Sequence, residues 1–236
     1  MALLKPTEVT EGIFQLPAIA SRVTALVSGD SVTLVDAGLK GSAKWIVRGL
    51  GRIGVSVEQL STIAITHHHP DHSGGLSGLR KFTSAKIVAH RSDAAVVLGD
   101  KLAPNPYQNR LAALLASPVL PAFYGPTMPV DHQMDGGNNL PFMESVQVIH
   151  TPGHTPGSMS LYVRDKGVLI VGDALEYRRG KLKPPARMFT EDRNQAIESL
   201  RQLLELDFET ICFSHFPALV KDAKNALRDM VEETAN

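Results

Sequence analysis

A chain of 236 residues and 25.5 kDa can bury a full hydrophobic core, and 43% apolar residues with 19 glycines and 15 prolines is typical of a globular α/β protein. Lysine plus arginine and aspartate plus glutamate number 24 each, which excludes a global basic field for nucleic acid and an acidic tail. The single cysteine, Cys212, excludes an internal disulfide framework, and no apolar run approaches the roughly 20 residues of a membrane span. Residues 1–6 carry no apolar signal segment, so we expect a cytoplasmic protein with a small-molecule substrate and no nucleic-acid or membrane partner. These features are compatible with a homo-oligomer.

The first part of the chain alternates between predicted strands and helices. Apolar periodicity and turn residues predict strands at residues 12–17, 22–28, 32–36, 62–66 and 86–90, with a hairpin turn at Gly29-Asp30. Helical spacing predicts helices at 42–53, 76–82 and 94–98, the last capped by Ser92. This alternation is typical of a layered α/β domain.

Residues 99–139 depart from this pattern, because six prolines surround one helical stretch at 107–116. We expect a partly helical inserted loop region within a single domain that spans residues 1–236. The insert either shapes a substrate entrance or covers the surface as a connector. Beyond it we predict strands at 146–150, 158–164, 168–173 and 210–214, and helices at 191–206 and about 218–233.

Four histidines and a carboxylate lie close together in residues 66–75, directly after an apolar strand. His67 and His69 are two residues apart on an extended strand end, so their side chains project to the same side and can share a cation. The proline that follows favours a turn, which aims Asp71 and His72 toward a second position nearby. The alternative, a His-rich surface loop, predicts no partner ligands elsewhere in the chain.

Partner ligands do occur where three later apolar strands stop, at His154, Asp173 and His215. Three histidines with Asp173 as a bridge suit one metal, and Asp71, His72 and His215 with the same bridge suit the other. The candidate ligands are His67, His69, Asp71, His72, His154, Asp173 and His215. Imidazole and carboxylate without thiolate fit two divalent cations, Zn first, with Fe or Mn open.

The runs THHHPDHSGG, TPGHTPGS and VGDAL, followed by a histidine at the end of a late strand, resemble the metallo-β-lactamase superfamily of hydrolases in content and order. The resemblance covers nearly the whole chain. It implies an α/β fold of the four-layer αββα sandwich type, with a dinuclear site at the edge of two sheets, and it assigns the seven residues their ligand roles. Asp36 matches the family's early strand-end aspartate, which implies a supporting residue near the metals.

An aspartate at position 173 resembles glyoxalase II-type thioesterases, lactonases and phosphodiesterases more than β-lactamases, which commonly hold Cys or Ser there. Glyoxalase II-like members carry a helical C-terminal region whose basic residues hold glutathione. Here only residues 216–236 follow His215, which argues against glutathione thioesters.

These features together predict a metal-dependent hydrolase that cleaves an ester-like bond, a thioester or lactone first. A hydroxide formed between the two cations attacks the carbonyl, and Asp71 is the catalytic residue that orients it. A β-lactamase-like or phosphodiesterase hydrolase, an iron-dependent sulfur dioxygenase and a non-catalytic binding protein are the alternatives. The presence of all seven ligand residues argues against the binding protein, because a ligand is easily lost once hydrolysis is not needed.

The remaining polar residues are expected in lesser roles. Supporting or packed positions are expected for His68, His90 and His150, an exposed position for His132 and a buried one for Cys212. Pocket-lining positions are expected for Tyr107, Tyr124, Tyr177 and Lys183. The basic run 178–183 either receives an anionic group of the substrate or forms a solvated loop.

Overall fold

The computed structural model describes residues 5–235, with the backbone alone at 235, so the N-terminal segment 1–6 lies mostly outside the described residues. The strands are β1 (Thr7–Thr10), β2 (Ile13–Pro17), β3 (Arg22–Ser28), β4 (Ser31–Val35), β5 (Leu60–Ile65), β6 (Lys86–His90), β7 (His132–Met134), β8 (Asn139–Leu140), β9 (Met143–His150), β10 (Met159–Val163), β11 (Val168–Ile170), β12 (Glu176–Arg178), β13 (Lys181–Lys183) and β14 (Thr210–Cys212). The α-helices are α1 (Ala43–Arg52), α2 (Pro70–Ser73), α3 (Leu76–Leu79), α4 (Arg91–Leu98), α5 (Arg110–Ala116), α6 (Arg193–Leu203) and α7 (Ala223–Ala235). Short 3₁₀ turns lie at Val57–Gln59, Leu120–Ala122 and Arg164–Lys166. None of the described helices has the length and apolar character needed to cross a bilayer.

Two sheets form the middle of the molecule. In the first sheet, seven strands lie in the order β1 to β7, antiparallel from β1 to β4 and parallel from β4 to β7. The second sheet has the order β14-β11-β10-β9-β8, with β11 and β14 parallel. The β12–β13 hairpin is separate from both.

Both faces of each sheet are buried, so the central strands are apolar at nearly every position. In β5, Ala64 faces the second sheet, whereas Ile63 and Ile65 pack beneath α1, α3 and α4. In β10, Leu161 faces the first sheet, and Tyr162 packs beneath α6 and α7. The layers therefore follow the order helix, sheet, sheet, helix, which confirms the predicted αββα sandwich.

The predicted cap of α4 was wrong by two residues. Strands β3 and β6 match their predicted bounds, but α4 begins at Arg91 and its N-cap residue is His90. The His90 Nδ1 accepts a hydrogen bond of 3.3 Å from the backbone N–H of Ser92. An imidazole nitrogen thus takes the capping role that the sequence had given to the serine hydroxyl.

The inserted region 99–139 is only partly a loop. Helix α5 begins at Arg110 rather than 107, because the Asn109 side chain accepts a hydrogen bond of 3.0 Å from a backbone N–H of the first turn. Further along, β7 pairs with β6 and completes the first sheet. His132, predicted to be exposed, lies half-buried on this strand beside the Phe142 ring.

The basic run 178–183 lies in a hairpin and is solvent-exposed except at Leu182, as the solvated alternative predicted. Its strands β12 and β13 pair in antiparallel register, and Leu182 packs into the apolar cluster beneath α6 and α7. The Tyr177 ring stacks on Phe213, with 5.7 Å between centroids, and does not line the pocket that contains Asp71 and His215. The exposed Lys183 does not line it either.

Candidate metal centre

Strand ends bring the predicted site residues to one edge of the sandwich. In the first sheet, β4 stops before Asp36 and β5 stops before the segment 66–75. In the second sheet, β9, β11 and β14 stop shortly before His154, Asp173 and His215. All seven predicted ligands lie in three overlapping groups whose ligand atoms are within 4.8 Å of one another.

Three histidine nitrogens converge in the first donor set. His67 Nε2 and His154 Nε2 each lie 3.1 Å from His69 Nδ1. Asp173 Oδ2 lies 3.7 Å from His154 Nε2. All three rings are buried, so these polar atoms meet where water has little access.

The second donor set surrounds the other oxygen of Asp173. His215 Nε2 lies 3.2 Å from Asp173 Oδ1 and 3.3 Å from Asp71 Oδ2. His72 Nε2 lies 3.5 Å and 3.7 Å from the same two oxygens. Asp173 therefore borders both sets, which is the position that the predicted bridge requires.

Hydrogen bonds to the second ring nitrogen fix the tautomers of four of these histidines. His215 Nδ1 donates to the carbonyl of Ala20 at 3.0 Å, and His72 Nδ1 donates to a buried carboxylate at 2.8 Å. His154 Nδ1 donates to the Thr190 hydroxyl at 3.3 Å, since that hydroxyl gives its own proton to a backbone carbonyl. His67 Nδ1 likewise donates to the hydroxyl of the preceding threonine at 3.1 Å. In the neutral form of each ring, Nε2 is left with a free lone pair.

Burial keeps the first set neutral. Burial lowers the pKa of His154 to about 4 and holds the pKa of His67 and His69 well below the usual value, with the neighbouring imidazoles adding to the effect. Neutral imidazole is the form that binds a metal.

Carboxylates dominate the second set. Burial opposes a charge on His215 and His72, but Asp173 and its neighbouring carboxylates outweigh it, raising the pKa of His215 to about 10 and the pKa of His72 well above its usual value. Burial would also raise the pKa of Asp173 and Asp71, yet these histidines hold both pKa values below the usual range. The negative charge of this set can hold either protons or a cation.

The donor atoms fit divalent cations. The Nε2 atoms of His67 and His154 are both acceptors 3.1 Å from His69 Nδ1, which can donate to only one of them, so at least one buried lone pair is left without a donor. A cation between these nitrogens would accept that lone pair. Ligands about 2.0–2.2 Å from a tetrahedral Zn²⁺ lie roughly 3.3–3.6 Å apart, close to the 3.1–3.7 Å spacings here. The buried His72 Nε2 also makes no hydrogen bond within the described residues.

Asp36 joins the two sheets behind the second set. It is buried in the left-handed region at φ 68° and accepts hydrogen bonds from the backbone N–H of Thr66 at 2.8 Å and from His72 Nδ1 at 2.8 Å. It also accepts one from the Ser214 hydroxyl at 3.2 Å, next to His215. Asp36 therefore orients ligands from both sheets, as the resemblance implied.

Asp93 has the same function behind the first set, and sequence reasoning missed it. Its carboxylate accepts hydrogen bonds from the backbone N–H of His68 at 2.9 Å and from His68 Nδ1 at 3.0 Å. On the other side it accepts from the Thr155 hydroxyl at 2.8 Å and from the Gly157 backbone N–H at 2.7 Å. Asp93 thus ties the His67–His72 segment to the loop that carries His154.

An apolar pocket of about 400 Å³ opens over the donor sets. Its floor contains His69, Asp71, His154, Asp173 and His215. Residues of the insert form one wall: Pro106, Tyr107, Ala116, Val119, Leu120 and Phe123. Arg178 also lines this pocket, but it pairs with Glu176 at 2.9 Å and its guanidinium lies over the Phe216 ring. The insert therefore shapes the entrance, the first of the two roles predicted for it.

The other residues singled out in the sequence fall in three places. Tyr107 lines the catalytic pocket, as predicted, whereas Tyr124 lines a second cavity. His90 and His150 stack on each other away from the donor sets, with ring centroids 3.9 Å apart. Cys212 is fully buried, as predicted.

Sequence comparison points to one family. The sequence model described as the metallo-beta-lactamase superfamily matches residues 17–215. A protein of Bacillus subtilis strain 168 named "Probable metallo-hydrolase YflN" is 28% identical over 215 residues, which cover 86% of this chain and 81% of that protein. A hydroxyacylglutathione hydrolase of Rhodobacter capsulatus is 32% identical over 162 residues, 66% of this chain but only 48% of that enzyme.

Solved structures show the same fold. A metallo-beta-lactamase family protein from Thermus thermophilus superposes with a TM-score of 0.72 at 21% identity, covering 96% of this chain and 79% of that one. The BLEG-1 B3 metallo-beta-lactamase gives a TM-score of 0.68 at 23% identity, covering 86% and 91%. At such identities the likeness describes the backbone arrangement alone.

Proposed function

Because the chain belongs to the metallo-beta-lactamase superfamily, we propose that it is a dinuclear metal-dependent hydrolase that cleaves an ester-like bond, with a thioester or a lactone as the substrate. The observation that carries this proposal is the pair of donor sets that share Asp173 at the floor of an open apolar pocket. Zn²⁺ is the proposed cation, since all the donors are imidazole or carboxylate and the spacings suit tetrahedral ligation.

His67, His69 and His154 would hold one cation, and Asp71, His72 and His215 the other, with Asp173 between them. Two bound cations would supply acidified water and a polarised carbonyl. Asp36 and Asp93 keep the ligand-bearing loops in place, so little reorganisation is needed during turnover.

Asp71 is the proposed catalytic residue. Its side chain is 27% exposed at the floor of the pocket, and its Oδ2 faces His215 Nε2 at 3.3 Å. The lowered pKa keeps it a carboxylate, so Asp71 accepts a hydrogen bond from the attacking water and orients it rather than acting as an acid.

The pocket walls favour a substrate with an apolar part. Tyr107, Leu120, Phe123 and Phe189 line the pocket beside its polar floor and give it a largely apolar wall. Thioesters and lactones suit such a site, because their leaving groups need little assistance. The relatives named hydroxyacylglutathione hydrolase support cleavage of an acyl bond of this kind.

A substrate panel tests the proposal. Metal-replete protein is assayed on thioesters, lactones, simple esters, phosphodiesters and a β-lactam, with oxygen uptake on a persulfide measured in the same sample. We expect turnover of a thioester or lactone, and a kcat lower by about 10²-fold or more for Asp71→Asn with little change in KM. Asp165→Asn, at an exposed turn, is the matched control and should keep full activity. Oxygen uptake without hydrolysis of any substrate would refute the hydrolase proposal and favour the iron-dependent sulfur dioxygenase.

A further inference from the structure

His215 differs from the other proposed histidine ligands in its surroundings. Its side chain is 29% exposed, whereas the other four histidines are at most 5% exposed. It lies in residues 213–218, a segment after β14 that belongs to no helix or strand and that we call the His215 loop. A metal ligand on such a segment needs partners outside it to hold the imidazole in one orientation.

One side chain of the first sheet, Gln15, bonds the His215 loop on both sides of the ligand. Gln15 lies on β2 and is only 1% exposed. Its Nε2 donates to the carbonyl of Phe213 at 2.9 Å and to the carbonyl of Phe216 at 3.2 Å. Its Oε1 accepts a hydrogen bond of 3.0 Å from the backbone N–H of Ala218. These bonds allow one amide orientation, because a flipped amide would place its oxygen against two carbonyls.

The turn that follows β2 contacts the two partly exposed ligands of the second donor set. Ala20 lies in the left-handed region at φ 64°, and its carbonyl accepts the hydrogen bond from His215 Nδ1 at 3.0 Å. The Ser21 hydroxyl donates to the backbone carbonyl of Asp71 at 2.8 Å. Strand β2 therefore holds the His215 loop, and the turn after it orients the His215 ring.

Gln15 acts on one donor set. All its side-chain hydrogen bonds in the described part of the chain go to the His215 loop, whereas Asp93 ties the loops of the first set. We propose that Gln15 is a positioning residue that sets the affinity of the second donor set for its cation, because it holds the His215 loop against β2. This inference rests on the proposed dinuclear site.

Competition between the protein and a chelator for Zn²⁺ measures the affinities of the two cations separately. Gln15→Met keeps an unbranched side chain of similar length but cannot bond the loop carbonyls. We therefore expect the affinity for one cation to fall by about 10–100-fold and the affinity for the other to stay within about threefold of wild type. Gln147→Met is the matched control on β9, because the Gln147 amide bonds only the carbonyl of Gly137 in the described residues, and it should bind both cations as wild type does.

Melting curves show whether the variants fold. If Gln15→Met does not, Gln15→Asn takes its place, since it keeps the amide but is one methylene too short to make all three bonds to the His215 loop. The same loss of affinity for one cation is expected.

Proton NMR of the metal-free protein reports the position of His215 without a cation. The His215 Nδ1–H signal, assigned from His215→Gln, should be visible in wild type because the Ala20 carbonyl protects this proton from exchange. It should broaden or vanish in the Gln15 variant, whereas the Nδ1–H signal of His72, which bonds to Asp36, should remain.

Three results would overturn the proposal: unchanged affinity for both cations in the Gln15 variant, an equal loss for both, or an unchanged His215 signal. An equal loss would make Gln15 a residue of the fold as a whole. A wild-type protein that binds two cations but hydrolyses no substrate would refute the hydrolase and leave the role of Gln15 standing. A wild-type protein that binds one cation would refute the dinuclear site, and the His215 signal would then decide the role of Gln15.

Discussion

Replacing Asp93 with asparagine should destabilise the fold by about 4–6 kcal/mol. Oδ2 accepts from the His68 backbone N–H, from His68 Nδ1 and from the Thr155 hydroxyl, and Oδ1 accepts from the Gly157 N–H. The least harmful asparagine rotamer turns its amide nitrogen toward Gly157, which leaves one buried N–H unpaired at about 1–3 kcal/mol. The other three hydrogen bonds become neutral, and each loses roughly 1 kcal/mol.

Urea unfolding of metal-free protein, followed by circular dichroism, measures this loss without a contribution from metal binding. Asp135→Asn is the matched control, because that side chain is 52% exposed and pairs only with Arg91 in the described region; its effect should stay within about 1 kcal/mol. A free energy of unfolding for Asp93→Asn within about 1 kcal/mol of wild type would refute the reasoning.

Two glycine substitutions and one thiol reaction test the packing of the interior. In Gly157→Ala the new Cβ would lie against Asp93 Oδ1, so we expect urea unfolding to show a free energy of unfolding lower by about 1–3 kcal/mol. Gly51→Ala is the control, because its Cβ has open space in α1 and should raise the free energy of unfolding by about 0.5–1 kcal/mol. Equal effects of the two substitutions would contradict the close contact at Gly157. Burial raises the pKa of the Cys212 thiol to about 12, so an aromatic disulfide reagent at about pH 8 should react with it only after denaturation. Rapid reaction of the native protein would contradict the burial of β14.

Strand bounds and candidate ligands that depend on local sequence patterns could be predicted. Strand β3 ends at the Gly29-Asp30 turn and β6 ends where α4 begins, and the bounds of both strands agree with prediction. The seven ligands follow the ends of apolar strands, where α/β proteins place their ligands, so local patterns indicated the candidate residues. That the ends of two sheets meet at one edge came from the family resemblance.

Features that depend on tertiary pairing could not be predicted in the same way. Strand β7 has three residues inside a proline-rich region and exists because β6 offers it a parallel partner. Asp93 lies shortly after β6, and its role depends on His68 and Thr155, far away in the chain. A lone aspartate at a helix start is otherwise typical of dipole stabilisation and carries no signal for such a role.

The metal content of the purified protein tests the central claim most directly. Elemental analysis of wild type, Asp173→Ala and the exposed control Asp165→Ala, each dialysed against the same buffer, counts the cations held by the two donor sets. We predict two divalent cations per chain for wild type and the control, and one or none for Asp173→Ala, because Asp173 borders both sets. Two cations retained in Asp173→Ala, or fewer than two in saturated wild type, would contradict a shared dinuclear centre.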